Sequence, residues 1–362
     1  MKSNVRLGCM LGDGIGPEVV PAARRTVDAA LAVAGASAID WVDLPMGLSA
    51  IEKFGSPMPS NNIEVLTGCD GWLLGPFDNT SYPESWRAKR ERVPGGALRH
   101  HFDLYANIRP SRTRANVPSL VSGVDLVIVR ENTEGFYPDR NMFFGSGEFM
   151  PTRDVALLVG VFTRSSIRRI AISAFELART RRKHVTAVHK SNVMPTTFGL
   201  FLEECRAVAA NYPDVTFDDV LFDAAAALLV RRPQWFDVLV TENMFGDTLS
   251  DLAGELVGAL GLSAALNVSE KYGMAQAGHG SAPDIAGQGI ANPTGIIVSA
   301  AMLLEWLGQR RGEAALVQAG QIIDRSVDLV LANGVHTADL GGTVRTTEFT
   351  AAVLSAIASH SS

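Results

Sequence analysis

Cysteine is scarce. Three occur in 362 residues, at Cys9, Cys69 and Cys205, far apart and with no Cys-x-x-Cys pair. That argues against a disulfide framework and a thiolate zinc site, and it fits a reducing, cytoplasmic compartment. Basic charge is also short: 32 Lys and Arg stand against 38 Asp and Glu, a net charge of −6. A nucleic-acid binder would carry a basic surface instead. No apolar run reaches the roughly 18 residues that a membrane span needs. Met1–Asn4 lead into a strand-like stretch without a basic or apolar leader, so no targeting segment and no membrane partner are expected. With 47% hydrophobic and 19% charged residues, disorder is excluded too. The length suggests about two domains. No repeat, low-complexity tract, heptad or linker is present, so the domains are expected to interleave.

What is present is an alternation of strand and helix signals. Val5–Leu11 reads as a buried strand that ends in the glycine turn Gly12–Pro17, with a helix from Glu18 to about Ala34. Further strands are expected at Gly71–Leu74, Val124–Val129, Lys183–His189 and Asp237–Thr241. Helices are expected at 163–180, Phe198–Ala210, from about Gly246, and over 294–310 and 313–333. Residues 77–96 read as loop and short helix. The alternation predicts an α/β protein. Gly12-x-Gly14 resembles a dinucleotide fingerprint, but the sixth position is Pro17 and no acid follows at the required distance. A tight turn is the simpler reading.

The chemistry is concentrated in a few stretches. In Thr241–Asp251, Asp247 and Asp251 stand four apart and share one helix face, where like charges repel. A hard divalent cation would offset that repulsion; two solvated acids near a helix start would also account for the pattern. Asp223 precedes an alanine-rich helix and alone reads as its N-cap. Arg99, Arg109 and Arg130 each close or flank a strand-like segment, where α/β folds place ligands. Singly, each fits a surface ion pair. Together with three aspartates, they suggest a metal-bound substrate with two or more carboxylates. Tyr137 and Lys190 are the proton-transfer candidates, a lysine beside cations being able to serve as a base. In His279–Gly287, the small residues Gly280 and Ala282 let a loop close on a flat ligand. Asp284 there suits the two hydroxyls of an adenosine ribose and would repel a 2′-phosphate.

Taken together, Leu11–Glu18, Asn107-Ile108-Arg109-Pro110, Val129–Tyr137, Asn243–Asp251 and His279–Pro293 resemble the β-decarboxylating dehydrogenases, the isocitrate and isopropylmalate dehydrogenase family. The resemblance covers nearly the whole chain. It implies that family's own two-domain interleaved α/β fold, not a Rossmann fold. Residues 1–105 with 255–362 would form a large cofactor-binding domain, and 106–254 a small inserted domain with the dimer interface. It implies a homodimer with shared active sites, Lys190 and Asp223 serving the partner's site. Arg99, Arg109 and Arg130 would bind the malate carboxylates, and Asp223, Asp247 and Asp251 would hold Mg²⁺ or Mn²⁺. Ile15 would lie beside the nicotinamide, and His279, Gly280, Ala282, Asp284 and Asn292 along the adenosine end. Asp284-Ile285 favours NAD over NADP, because NADP-preferring members carry a basic residue and a tyrosine there. Lys190 would accept the hydroxyl proton, and Tyr137 would protonate C3 after CO₂ leaves.

Two departures bear on the substrate. Before Arg99, where the family reads the substrate's variable group, Arg92–Leu98 match neither the acid and leucine pair of isopropylmalate enzymes nor the Ser-x-Asn of isocitrate enzymes. The glycines there leave room, and Arg87, Lys89, Arg90 or Arg92 would meet an anionic substituent or lie in a solvated loop. Gly273–Gly278 replaces the family's Phe-Glu-Pro. The expected activity is NAD- and metal-dependent oxidative decarboxylation of a 3-substituted malate of the 3-isopropylmalate type, a hydroxy-dicarboxylate or tricarboxylate. The alternatives are a tartrate/D-malate or isocitrate/homoisocitrate enzyme and, in another class, a catalytically silent regulatory or binding paralogue.

Overall fold

The structure, a computed structural model, describes residues 4–89, 91–137, 142 and 145–361. Arg90 lies outside the described residues. In chain order the first elements are β1 (Arg6–Met10), α1 (Gly16–Val33), β2 (Asp40–Asp43), α2 (Leu48–Phe54), α3 (Ser60–Thr67), β3 (Gly71–Leu74), α4 (Glu84–Arg87) and α5 (Pro94–His101). There follow β4 (Ala106–Arg112), β5 (Asp125–Glu131), β6 (Glu148–Thr152), β7 (Val155–Leu158), α6 (Arg164–Arg179), β8 (His184–His189), α7 (Thr197–Ala209), β9 (Thr216–Leu221), α8 (Phe222–Arg231), β10 (Val238–Thr241) and α9 (Asn243–Val257). The chain ends with β11 (Leu266–Val268), β12 (Gly273–Gln276), α10 (Thr294–Arg311), α11 (Ala314–Ala332) and α12 (Thr346–Ala358). Among the described residues, no helix is long and apolar enough to cross a membrane. The three cysteines are free and buried.

Two compact units interleave along the chain. The first comprises Met1–Leu98, Arg114–Pro118 and Gly258–Ser362, the second Arg99–Thr113 and Ser119–Val257. In the first, the strand order is β2-β1-β3-β12-β11, parallel except for the β11–β12 pair. All four residues of β3 are buried, as a central strand covered on both faces requires. In the second, the order is β4-β5-β10-β8-β9, parallel except for β4–β5. Val124, Leu126 and Ile128 pack with Leu249, Ala253 and Leu256 of α9 and with Ala225 and Leu229 of α8. Strand period carries the same face on to Arg130, which therefore points toward α9. Among the described residues, β6 and β7 form a separate two-stranded sheet.

The glycine turn after β1 is a junction, not a phosphate cradle. Gly12 and Gly14 have φ of +75° and +57°, and a Cβ on either would fall within about 2 Å of a carbonyl oxygen, that of Pro76 or Ser281. Between them, Asp13 accepts three hydrogen bonds: Leu48 N–H at 2.7 Å, Asp78 N–H at 3.1 Å and the Tyr82 hydroxyl at 2.7 Å. Burial and this hydrogen bond raise the Tyr82 hydroxyl far above its ordinary range. Asp13→Ala leaves three donors without their acceptor. It should cost about 2–4 kcal/mol, read as a lowered urea midpoint with the same m-value.

Candidate active site

The second unit gathers the guanidinium, carboxylate and phenol groups. The antiparallel β4–β5 register sets Asn107 opposite Arg130 and Arg109 opposite Ile128, so Asn107, Arg109 and Arg130 share one face. Helix α9 presents Asp247 and Asp251 to that face. It starts at Asn243, three residues earlier than the sequence predicts. The cause is Glu242, whose carboxylate accepts the N–H groups of Met244 (3.0 Å) and Phe245 (2.7 Å) and so caps the first turn. Burial pushes the Glu242 carboxyl up to about 7. A side chain that reads as surface charge in the sequence is a buried cap, 2% exposed.

Asp247 is the centre of the cluster. Its Oδ1 pairs with Arg130 Nη1, and with Arg109 Nη1 at 3.2 Å; its Oδ2 accepts from the Tyr137 hydroxyl at 2.7 Å. Arg109 Nη1 also donates to Ser250 Oγ at 2.8 Å and reaches Asp251 Oδ1 at 3.3 Å. The Arg130 guanidinium stands over the Tyr137 ring, 5.6 Å from its centre. Burial works to raise the Asp247 carboxyl, but Arg130 and Arg109, helped by the Tyr137 hydroxyl and by Arg99, bring it down to about 2. Burial lowers Arg109 to about 10, with the like charge of Arg130 acting the same way. Asp251 is raised by burial and by Asp247, against the pull of Arg109. Arg99, Arg109, Arg130, Tyr137, Asp247 and Asp251 thus belong to one electrostatic cluster.

Lys190 and Asp223 are not part of it. Lys190 Nζ pairs with Asp223 Oδ1 at 2.5 Å, and the hydrogen bond from Lys190 lowers the Asp223 carboxyl. Asp223 is not the cap of α8. It stands second in the helix, after Phe222, with Leu221 at the cap position. Among the described residues, no three of His, Cys, Asp and Glu are arranged to hold a metal ion. Asp247 and Asp251 both reach Arg109 Nη1, whereas Asp223 pairs with Lys190. Two carboxylates one helical turn apart still fit a hard divalent cation, which keeps waters or substrate oxygens in its remaining positions.

The cofactor candidates lie in the first unit. The N–H of Ile15 donates to Ser281 O at 2.9 Å, and Glu18 accepts Gly287 N–H at 2.6 Å, so the turn after β1 ties down the loop 279–289. The Ile15 side chain itself is buried. Ala282 holds a left-handed conformation at φ +40°. Gly280 and Asp284 are exposed. Asn292 has both ends engaged, accepting from Thr294 N–H and donating to Asp339, each at 3.0 Å. His279 Nδ1 faces Gly280 O at 3.0 Å, which assigns the proton to Nδ1. Burial lowers the His279 imidazole, so it is neutral, and its Nε2 is a buried acceptor with no partner among the described residues. An acceptor of that kind fits an N–H donor from an adenine ring.

The segment before Arg99 is tighter than its glycines suggest. Residues 94–101 form α5, Leu98 is fully buried, and a Cβ at Gly95 would lie 2.9 Å from the Phe77 ring. The space at Gly95 is filled by Phe77, a residue the sequence alone does not mark. Gly273 opens β12 because Leu303 and Trp306 of α10 lie against it: a Cβ there would meet Leu303 at 2.6 Å and the indole at 3.0 Å.

Two interleaved α/β units, one of them carrying paired guanidinium groups against helix-borne carboxylates and a tyrosine, are the frame in which the comparisons with known proteins fall. The chain belongs to the isocitrate/isopropylmalate dehydrogenase family, whose model matches residues 6–353. It is 41% identical over 358 residues to the isocitrate/homoisocitrate dehydrogenase of Thermus thermophilus, covering 97% of this chain and 98% of that one. It is 39% identical over 346 residues to the 3-isopropylmalate dehydrogenase of Archaeoglobus fulgidus, covering 93% and 95%. The crystal structure of isocitrate dehydrogenase from Methylococcus capsulatus matches with a TM-score of 0.85 at 36% identity, over 98% of this chain and 99% of that one. The protein is a decarboxylating dehydrogenase, an oxidoreductase of a family that uses NAD and a divalent metal.

Proposed function

We propose that the protein oxidises and decarboxylates a 3-substituted malate of the 3-isopropylmalate type with NAD and Mg²⁺ or Mn²⁺. The carrying observation is the convergence of Arg109, Arg130 and the Tyr137 hydroxyl on Asp247, with Asp251 one turn away. Arg99, Arg109 and Arg130 bind the malate carboxylates, as planar forks do. Asp247 and Asp251, with Asp223 from a second copy of the chain, would hold the cation. NAD, when bound, would supply the hydride acceptor, and the cation would supply Lewis acidity toward the hydroxy acid. Lys190 of the second copy takes the C2 hydroxyl proton. Tyr137, held on Asp247, gives a proton to C3 once the C3 carboxylate has left as CO₂. Ile15 serves the nicotinamide end, and His279, Gly280, Ala282, Asp284 and Asn292 the adenosine end.

A homodimer with shared sites, built on the inserted 106–254 segment, is part of this reading. It accounts for a Lys190–Asp223 pair that stands apart from Asp247. It is also consistent with the exposed apolar side chains of the β6–β7 hairpin, Phe149, Met150, Val155, Leu157 and Leu158.

The test is NADH formation with Mn²⁺ across 3-isopropylmalate, D-malate, tartrate, isocitrate and homoisocitrate. Clear preference for 3-isopropylmalate supports the reading. Preference for isocitrate or homoisocitrate would move it to the tricarboxylate branch, which the 41% identical relative favours. Silence with all five would overturn it. For the cofactor, replacing Asp284-Ile285 by Lys-Tyr should move the NAD/NADP ratio of kcat/KM toward NADP by about tenfold or more, because an exposed carboxylate that repels a 2′-phosphate is exchanged for a cation. An unchanged ratio would place the cofactor's recognition elsewhere.

A further inference from the structure

Each of the two guanidinium groups at the centre of the site is gripped from behind by an asparagine. Asn107 Oδ1 accepts from Arg109 Nε at 3.3 Å. Asn243 Oδ1 accepts from Arg130 Nε at 2.9 Å and from its Nη2 at 2.7 Å, while its Nδ2 donates to Glu134 O at 2.9 Å. Both asparagines have no exposed surface. In each case Nη1 is left to reach the Asp247 side of the cluster. Gly246 completes the grip: a Cβ there would lie 2.6–2.7 Å from Cβ and Cγ of Arg130, so the arginine stem runs directly across α9.

The choice of asparagine is informative. A carboxylate would accept the same hydrogen bond more strongly. Asn107 moreover uses only half of its amide, since its Nδ2 is buried with no partner among the described residues. A buried donor without a partner is unfavourable, and aspartate, of the same shape, would remove it. What aspartate would also remove is net positive charge. Arg99, Arg109 and Arg130 supply the positive charge of this cluster, and a carboxylate at position 107, bonded to Arg109, would neutralise part of it.

We propose that Asn107 and Asn243 are positioning residues: neutral acceptors that fix the Arg109 and Arg130 guanidinium planes without spending the charge that draws substrate carboxylates. The proposal rests on the reading that these arginines bind substrate. It predicts an inverted order of effects. Asn107→Asp keeps the hydrogen bond to Arg109, and Asn107→Ser largely gives it up, yet the aspartate variant should be the worse binder.

The experiment uses the full-length enzyme with Mn²⁺ and the best acid of the panel, reading steady-state kinetics and, by calorimetry, direct binding of that acid. Asn107→Asp should raise substrate KM and Kd by about tenfold or more, the scale of one charge in a desolvated site. The KM for NAD should stay within about twofold and kcat should fall far less than KM rises. Asn107→Ser should show a smaller KM change. Asn243→Asp gives a second reading at Arg130 if Asn107→Asp does not fold. Equal KM in wild type and Asn107→Asp, or a serine variant worse than the aspartate, would overturn the proposal and leave Asn107 a packing residue. A wild type that binds none of the five acids would overturn the carboxylate reading itself, and this inference with it.

Discussion

Lys190→Met should lose turnover by about a thousandfold or more, the size expected when the group proposed to accept the reacting proton is deleted, while the fold survives. The lysine sits just past β8, on a turn fixed without its help. His189 Nε2 donates to Asp219 Oδ2 at 3.1 Å, and its Nδ1 accepts Ser191 N–H at 3.2 Å, so the histidine carries the turn on both sides of its ring. Lys190 adds one ion pair, to an Asp223 carboxylate that is 66% exposed. When the amine is removed, that carboxylate simply remains in water, and exposed pairs of this kind stabilise little. The Asp223 carboxyl should then rise back toward its ordinary range, having lost the hydrogen bond that lowers it. Kinetics read beside sedimentation and thermal melting make the check. A variant with near-wild-type kcat would remove Lys190 from the chemistry. One that turns over normally only when mixed with Tyr137→Phe protein would place the two residues in one site made by two copies.

The parts of the molecule that were legible in the sequence are those written in local pattern. The strand at Gly71–Leu74 coincides with β3, and the helix expected over 163–180 is α6, opened by Thr163, whose hydroxyl accepts Ser166 N–H. Asp247 and Asp251 share a face because four residues span one helical turn. What stayed illegible depends on partners far along the chain. The short strands β2 and β9 carry Asp40, Asp43, Asp218 and Asp219, charges that suit edge positions and blur any apolar alternation. Glu131 and Glu242 look like surface acids, yet both are buried because backbone N–H groups of the following turn satisfy them. The asparagines behind Arg109 and Arg130 lie inside the motifs that mark the family. Asn107 had a local signal in its two-residue offset from Arg109 on a strand. Asn243 had none, since its link to Arg130 spans 113 residues. Phe77 filling the space over Gly95 is likewise a tertiary fact.

Asp247→Asn should be the most damaging single change in the cluster, because one carboxylate does three things there. It balances Arg109 and Arg130, it holds the Tyr137 hydroxyl, and in the proposed reaction it is a cation ligand. Asparagine keeps the shape and loses the charge, so two buried guanidinium groups lose the carboxylate they share, and Arg109 keeps Asp251 at 3.3 Å. Breaking a fully buried pair costs about 3–5 kcal/mol. Asp247 is a third exposed, and a loss of about 2–3 kcal/mol is expected once solvent screening is allowed for. The pH dependence carries the sign. The folded carboxyl is lowered from 3.8 to about 2, so its contribution is complete above the unfolded value of 3.8 and is lost as pH falls toward 2. The stability gap between wild type and Asp247→Asn, measured by urea unfolding without metal, should therefore be constant from neutral pH down to about 5 and narrow below 4. Activity should fall by about a thousandfold or more, with Mn²⁺ binding weakened in parallel. A variant with an undiminished gap at low pH would show that the two arginines do not depend on this carboxylate. One that retained Mn²⁺ affinity would move the cation away from α9.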